Sequence, residues 1–350
     1  TVREGIKFHD GTPLDGAAVL TNIDKQYTSP LVGIALKPLI ASYRQSGPLS
    51  VEITMKHPWA VFPYTMAEQQ ICFVAAPSML NAPDGGTAHP IGTGPFVFKE
   101  WVRNNHFTAT RNENYWRKGL PYLDAVTFKP IPDAQARAQA LQTGSIDIMH
   151  NSTPRVMKQF RGNKKYNYRD NSGKMLGSPS INCVMLNTAA APFNDKAARE
   201  ILANGVDRDL YSRVIDLGIN APISGVYQPG SPYYKKTSYP KFSQSNAKKL
   251  ADAYKKKHGK ALTFTLNVVN APQTIQSGSF LQQEMKKIGV VVKIKTMLQN
   301  ELINNALFGT YQATEWSQFG GMTPDLNYVW WSTETANKTG LSINMARNMD

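Results

Sequence analysis

Strand and helix patterns alternate through the second half of the chain, and this alternation limits the fold more than any other feature. In chain order they are a strand at 181–187, helices near 194–204 and 245–257, a strand at 262–269, a helix at 279–288, and strands at 290–294 and 310–316. Such alternation predicts an α/β lobe. Because the strands at 181–187 and 310–316 bracket the region, we expect the chain to cross between two lobes there and to form a hinge of two strands.

The first half of the chain shows shorter and more mixed patterns. We expect a short strand at 6–8, a helix from Asp15 to about Tyr27, a strand at 49–56, a hairpin of strands 96–101 and 106–111, a strand at 126–131, a helix at 133–143 and a strand at 146–149. Gly144 is expected to end the helix at 133–143, since glycine is the usual residue just past a helix end.

Length and charge limit the class of protein. A chain of 350 residues favours two domains, and it has no apolar run of about 18 residues that could span a membrane. The net charge is +14, but the densest basic stretch, 248–260, has the pattern of a solvated helix face. We therefore expect no nucleic-acid partner. Residues 1–5 resemble the interior of a strand, so we expect a mature or truncated fragment, and a lost leader stays open.

Cysteine and histidine usage favours neither a cofactor nor a metal. Cys72 and Cys183 each lie in an apolar run, which predicts two buried thiols, although a disulfide stays open. No metal-ligand spacing, nucleophile elbow or phosphate-binding glycine loop is present. We expect no cofactor, no metal and no catalysis. The histidines without metal-ligand spacing are His9, His57, His89, His106, His150 and His258.

A set of segments carries a family pattern. They are residues 2–14 (VREGIKFHDGTPL), 90–101 and 111–116 (PIGTGPFVFKEW and RNENYW), 140–147 (ALQTGSID), and short runs between 186 and 208 (LNT, PFND, ARE and VDR). In this order they resemble the bacterial extracellular solute-binding proteins of family 5, which serve oligopeptide, dipeptide and nickel ABC importers. The resemblance covers nearly the whole chain and implies further strands before residue 2 and further helices after residue 350. Ala18 stands where the family usually has an acidic residue.

The resemblance implies a fold and a role. The fold is α/β, two-lobed and periplasmic-binding-protein-like, with 1–180 in lobe I, 181–310 in lobe II and 311–350 returning to lobe I. The role is the substrate-binding component of an ABC importer, which captures a small ligand between the lobes and delivers it to the membrane permease. It also implies a monomer outside the cytoplasm, periplasmic or at the cell surface, with lipid anchoring left open. Asn187 and Asp195 are expected as turn and helix-cap residues.

In this family much of the ligand-binding wall follows the second hinge strand, here residues 315–325. In peptide-binding members, an aspartate four positions before Pro324 holds the peptide amino terminus, and Gly320 stands there. In dipeptide-binding members, an arginine just before the helix expected here at 279–288 holds the carboxylate, and Ile275 stands there. The candidate ligand-binding residues are Trp316, Ser317, Gln318, Phe319, Gly320 and Asn270.

The missing anchors affect the expected ligand. A buried charge without a partner is costly, so we expect short zwitterionic peptides to bind poorly and a neutral peptide-like or oligosaccharide-like ligand to bind better. The charges that would replace the anchors are Arg199, Arg208, Asp325 and Glu315. The structural alternative is that Trp316 packs in the hinge and that Gln318 is merely exposed.

Two other functions stay open from the sequence. One is a secreted or periplasmic hydrolase with a carboxylate pair, because carboxylates are numerous and sequence cannot give their separation. The other is a nickel or metal-complex receptor within the same family, which the scattered His and Met residues permit.

Overall fold

Two compact units divide the chain, at Thr1–Arg137 and Ala138–Asp350. The structure is a computed structural model, and it describes residues 1–30, 32–68, 73–169, 180–227, 229–319 and 323–347. Each unit has its own sheets and apolar clusters. The predicted lobe boundaries at 180 and 310 stay a prediction.

The first unit combines short helices with two antiparallel sheets. Its elements are α1 (Gly16–Thr28), α2 (Val32–Leu36), β1 (Ile40–Gly47), β2 (Ser50–Met55), α3 (Phe62–Glu68), α4 (Pro77–Leu80), β3 (Phe96–Val102), β4 (His106–Arg111) and β5 (Ala125–Phe128). The helix expected from Asp15 is confirmed as α1, because the Asp15 carboxylate accepts a hydrogen bond from the Ala18 amide at 2.8 Å and caps it.

The predicted hairpin at 96–111 is confirmed. Strands β3 and β4 pair antiparallel from Phe96↔Arg111 to Val102↔His106, and β5 adds to β4. Asn104 in the connecting turn has φ 62°, a conformation that asparagine tolerates better than most residues. The strand expected at 6–8 is reduced to one bridge, Lys7↔Pro13.

The second unit contains the alternating elements. They are α5 (Ala134–Gln142, which begins in the first unit), α6 (Pro154–Phe160), β6 (Ser180–Leu186), α7 (Lys196–Gly205), α8 (Arg208–Val214), α9 (Gln244–His258), β7 (Thr263–Val269), α10 (Pro272–Lys286), β8 (Val291–Met297), α11 (Gln299–Phe308), β9 (Ala313–Phe319) and α12 (Tyr328–Trp331). Short 3-10 helices at Pro324–Asn327 and Thr333–Thr335 flank α12.

A four-stranded sheet in the order β6-β9-β7-β8 organises this unit. Strands β8, β7 and β9 are parallel, whereas β6 is antiparallel to β9 from Ser180↔Phe319 to Leu186↔Ala313. Helix α10 connects β7 to β8, and α11 returns the chain past β7 to β9. The predicted α/β character is confirmed, and the two strands predicted to connect the lobes are neighbours in one sheet.

Apolar side chains cover both faces of this sheet. On one face Leu266 and Val268 of β7 pack against Leu281 and Met285 of α10, within a core that also includes α7 and α9. On the other face a smaller cluster joins Trp316 of β9 to residues of α11 and of the C-terminal segment. Alternate residues of each strand therefore face different layers.

Two expectations were wrong, the first entirely and the second in part. Residues 146–149 form no strand, and Ile148 is 88% exposed, because no described strand pairs with this segment. The helix expected at 279–288 begins earlier, at Pro272, where proline occupies a first-turn position that needs no amide donor.

Two predicted structural residues have the expected roles. The Asn187 side chain donates to the Gly309 and Tyr311 carbonyl oxygens, each at 3.0 Å, and joins the end of β6 to the start of β9. The Asp195 carboxylate accepts from the Ala197 amide at 2.9 Å and caps α7.

Candidate functional site

Strand β9 carries four of the six predicted ligand-binding residues. Its register with β6 pairs Val184 with Glu315 and Cys183 with Trp316. Since successive side chains of a strand point to opposite faces, Glu315 and Ser317 lie on the face of α10, and Trp316 and Gln318 lie on the face of α11.

Trp316 and Gln318 contact each other. The Trp316 indole nitrogen donates to Gln318 Oε1 at 3.2 Å, and Trp316 packs against the cluster of Ala306, Tyr311 and Met345. Gln318 is 7% exposed, so the alternative in which it is merely a surface residue is wrong. The packing of Trp316 agrees with its structural alternative, and a ligand contact for either residue stays a prediction.

The structure fully describes two of the other four predicted residues, Ser317 on β9 and Asn270 just after β7. Ser317 is exposed, and its hydroxyl donates to Asn182 Oδ1 at 2.7 Å. Asn270 is exposed just after β7, where its amide donates to the Met297 carbonyl oxygen at 2.8 Å. Gly320 and the side chain of Phe319 lie outside the described residues.

The structure describes one of the two cysteines. Cys183 is a half-buried free thiol, and Cys72 lies outside the described residues.

The α10 face of β9 borders a cavity of about 70 Å³, the Glu315 cavity. Apolar side chains form most of its wall, and three polar side chains enter it, those of Tyr211 on α8, Ser277 on α10 and Glu315 on β9. The Tyr211 and Ser277 hydroxyl oxygens are 2.9 Å apart. The apolar lining consists of Val184, Val206, Leu266, Phe280 and Leu281, together with Gly278. Apolar walls with a few convergent polar groups are typical of small-molecule sites, but such sites have volumes of roughly 300–1,000 Å³, so this cavity can hold only one group of a ligand.

Local sequence features place two of the three polar groups. The Asp207 carboxylate accepts from the Leu210 amide at 2.8 Å and caps α8, the helix that carries Tyr211. Gly278 lets α10 approach β7 closely, because a Cβ there would be 3.1 Å from Val268 Cγ1. The preceding residue, Ser277, is thereby held at the cavity.

Burial dominates the electrostatics of the cavity. It raises the pKa of Glu315 to about 7, and the Ser277 hydroxyl opposes part of this rise. Glu315 Oε2 is buried and accepts no hydrogen bond from the part of the chain that the structure describes. Burial also raises the pKa of Tyr211 to about 12 and that of Cys183 to about 11, so both are neutral at pH 7.

The other charges considered as anchors have different roles. The Arg199 guanidinium donates to the Phe193 carbonyl oxygen at 2.6 Å. The Arg208 guanidinium donates to the Ile223 and Pro240 carbonyl oxygens and lies over the Tyr239 ring, 4.5 Å from its centroid. Asp325 is exposed. Of the four charges, Glu315 is the one at the cavity.

Ile275 lies in the first turns of α10, not before the helix, and it packs against the core of the second unit. An aliphatic side chain at this position has no group that could pair with a ligand carboxylate.

In the described parts of the chain, no group of three His, Cys, Asp or Glu side chains is arranged to hold a metal ion. No helix among the described residues has both the length and the apolar character needed to cross a membrane.

Curated relatives match most of this chain. The glutathione-binding protein GsiB of Salmonella paratyphi A is 27% identical over 303 residues, which are 85% of this chain and 57% of that protein. GsiB of Escherichia coli O157:H7 is 28% identical over the same lengths. The chain therefore spans less than two thirds of the length of these relatives.

Solved structures share the fold. The oligopeptide-binding protein AppA from Bacillus subtilis, in complex with a nonapeptide, has a TM-score of 0.82 at 22% identity, covering 100% of this chain and 72% of that one. The periplasmic binding protein DppA from Helicobacter pylori, in complex with the peptide STSA, has a TM-score of 0.81 at 21% identity, covering 98% and 70%. These likenesses establish a periplasmic-binding-protein fold.

The profile described as "Bacterial extracellular solute-binding proteins, family 5 Middle" matches residues 1–340. This match takes in the sheet, α10 and Glu315. The chain belongs to the bacterial extracellular solute-binding proteins of family 5.

Proposed function

We propose that this chain is the extracytoplasmic substrate-binding component of an ABC importer. In this role it captures a small ligand between two lobes and delivers it to the membrane permease without catalysing a reaction. The single observation that carries the proposal is the family match over residues 1–340. The relatives named for binding glutathione and peptides support it.

The lobe assignment is part of this proposal. Residues 1–180 and 311–350 form lobe I, and 181–310 form lobe II. Its support is the pairing of β6 with β9, which lies at both proposed boundaries. Two adjacent strands that both connect lobes provide the few backbone positions at which hinge closure occurs in binding proteins.

The ligand class is proposed as peptide-like or oligosaccharide-like. Ile275 supports the expectation that free dipeptides bind poorly, because it packs in the core and offers no partner to a carboxylate. Losing a charge-assisted contact costs roughly 1.5–3 kcal/mol, which is about ten- to hundredfold in affinity.

Calorimetry with peptide and oligosaccharide libraries tests the proposal. We expect saturable binding of one ligand class with a 1:1 stoichiometry, and affinity for free dipeptides that is at least about tenfold weaker than for the best ligand. Tight binding of a free dipeptide that is abolished when its termini are capped would contradict the ligand proposal. Turnover of a glycan or ester would contradict the binding role itself.

A further inference from the structure

The Glu315 cavity has room for a small chemical group. Its volume is about 70 Å³, and a cavity needs roughly 10–15 Å³ measured in this way to hold one water molecule. An ammonium nitrogen with one or two methylene carbons has this size. The apolar walls of Val184, Phe280 and Leu281 suit the carbons, and the polar groups lie on α8, α10 and β9.

The polar groups of the cavity are acceptors that match an ammonium group. An ammonium has three N–H donors and no acceptor. The cavity offers the Glu315 carboxylate, the Tyr211 hydroxyl oxygen and the Ser277 hydroxyl oxygen. The contact between Tyr211 and Ser277 uses one hydroxyl hydrogen and leaves lone pairs on both oxygens. A neutral hydroxyl ligand would donate to only one of the three acceptors, and an anion would be repelled by the carboxylate.

The charge balance at the cavity also favours a cationic ligand group. Glu315 forms no ion pair with any of the described residues. Two titratable groups interact electrostatically with Glu315, Tyr211 on α8 and Cys183 on β6. Asp216 in turn interacts electrostatically with Tyr211. None of these is a cation, so among the described residues an ionised Glu315 has the Ser277 hydroxyl as a hydrogen-bond partner but no charged partner. Buried charges in proteins are normally paired.

We propose that the Glu315 cavity binds a primary ammonium group of the transported ligand, with the adjoining methylene groups against its apolar wall. This inference rests on the proposed function. It specifies one chemical group of the ligand, and it replaces the expectation of a neutral ligand by that of a ligand with an ammonium group. Ammonium binding takes place with Glu315 ionised, so a proton leaves the carboxyl group when the ligand binds below neutral pH.

The experiment measures binding of n-propylammonium to the chain, with 1-propanol and ethylguanidinium as comparison probes, by calorimetry or ligand-observed NMR. We expect n-propylammonium to bind in the millimolar range at pH 8, more tightly than either comparison probe. Glu315→Gln should weaken it at least about tenfold, or about 1.4 kcal/mol. The matched control is Glu301→Gln, because Glu301 is an exposed glutamate on α11, and it should leave the affinity unchanged.

Two further readouts separate binding at Glu315 from a general structural effect. Between pH 8 and pH 5.5 the affinity of the native chain should fall about thirtyfold, because a carboxyl group with a pKa of about 7 is mostly protonated at the lower pH. Glu315→Gln should show no such dependence. Tyr211→Phe keeps the ring, removes one acceptor and should weaken binding severalfold.

Equal affinity of the native chain and Glu315→Gln, absent binding to the native chain, or tighter binding of ethylguanidinium would each overturn the inference. If any of these occurs while a ligand of the proposed class still binds, the proposed function stands without the ammonium site. If n-propylammonium binds as expected but no library ligand binds, the ammonium site stands and the proposed function fails.

Discussion

Replacing Glu315 by glutamine changes how the stability of the second unit depends on pH. The folded chain holds a proton on Glu315 up to about pH 7, whereas the unfolded chain releases it near 4.5. The native state therefore binds more protons than the unfolded state between these values, and stability is lost as pH rises through this window. Glutamine has nearly the same shape and cannot ionise.

The difference between the two pKa values sets the magnitude. A rise from 4.5 to about 7 corresponds to about 3 kcal/mol of lost stability once the pH is well above 7. We expect Glu315→Gln and the native chain to be equally stable near pH 4 and the variant to be more stable by up to about 3 kcal/mol at pH 8. In a unit of this size that is roughly 6–12 °C in Tm.

Urea unfolding followed by circular dichroism, at a series of pH values from 4 to 8, measures this difference. Effects of all other titrating groups cancel when the variant is compared with the native chain at each pH. Glu301→Gln is the control for loss of a glutamate on the surface, and it should follow the native curve. Parallel curves for Glu315→Gln and the native chain between pH 5 and pH 8 would refute the buried, unpaired state of Glu315.

Three other substitutions, the first with its own control, test the packing and helix capping of the second unit by urea unfolding. Gly309→Ala should cost about 2–4 kcal/mol, because Gly309 has φ 71° and a Cβ there would clash with the buried Arg347 guanidinium. Gly259→Ala, at φ 69° in open space, should cost only about 1 kcal/mol, and equal costs would contradict the clash. Arg347→Met should cost about 3 kcal/mol or more, since the buried guanidinium donates to the Asn337, Leu307 and Gly340 carbonyl oxygens; a loss under 1 kcal/mol would contradict this role. Asp195→Ala should cost about 1 kcal/mol through the lost cap of α7, and an unchanged midpoint would contradict it.

The alternating elements of the second unit were predictable because local sequence patterns determine them. Strand β7 and helix α10 have apolar residues at the spacing of their own elements, and those residues form the core. Residues 146–149 have the same kind of apolar alternation but no described pairing partner, so the local pattern was not sufficient there. Pairing with a distant strand is a non-local property.

The Glu315 cavity was not predictable in the same way. Its polar residues are Tyr211, Ser277 and Glu315, which are separated by tens of residues and meet only when α8 and α10 cover the sheet. Helix α8 is a short polar segment with no strong periodic signal. The sequence did show Glu315 as one of four possible anchors, but the burial of its carboxyl group depends on tertiary packing.

Native mass spectrometry of the purified protein tests whether the chain is a ligand-binding protein. We expect a species heavier than the chain by the mass of one small ligand, which is released on denaturation and rebinds at a 1:1 stoichiometry. A chain that carries no ligand and binds none from peptide, amine or oligosaccharide libraries, or one that releases a chemically altered product, would show that this role is wrong.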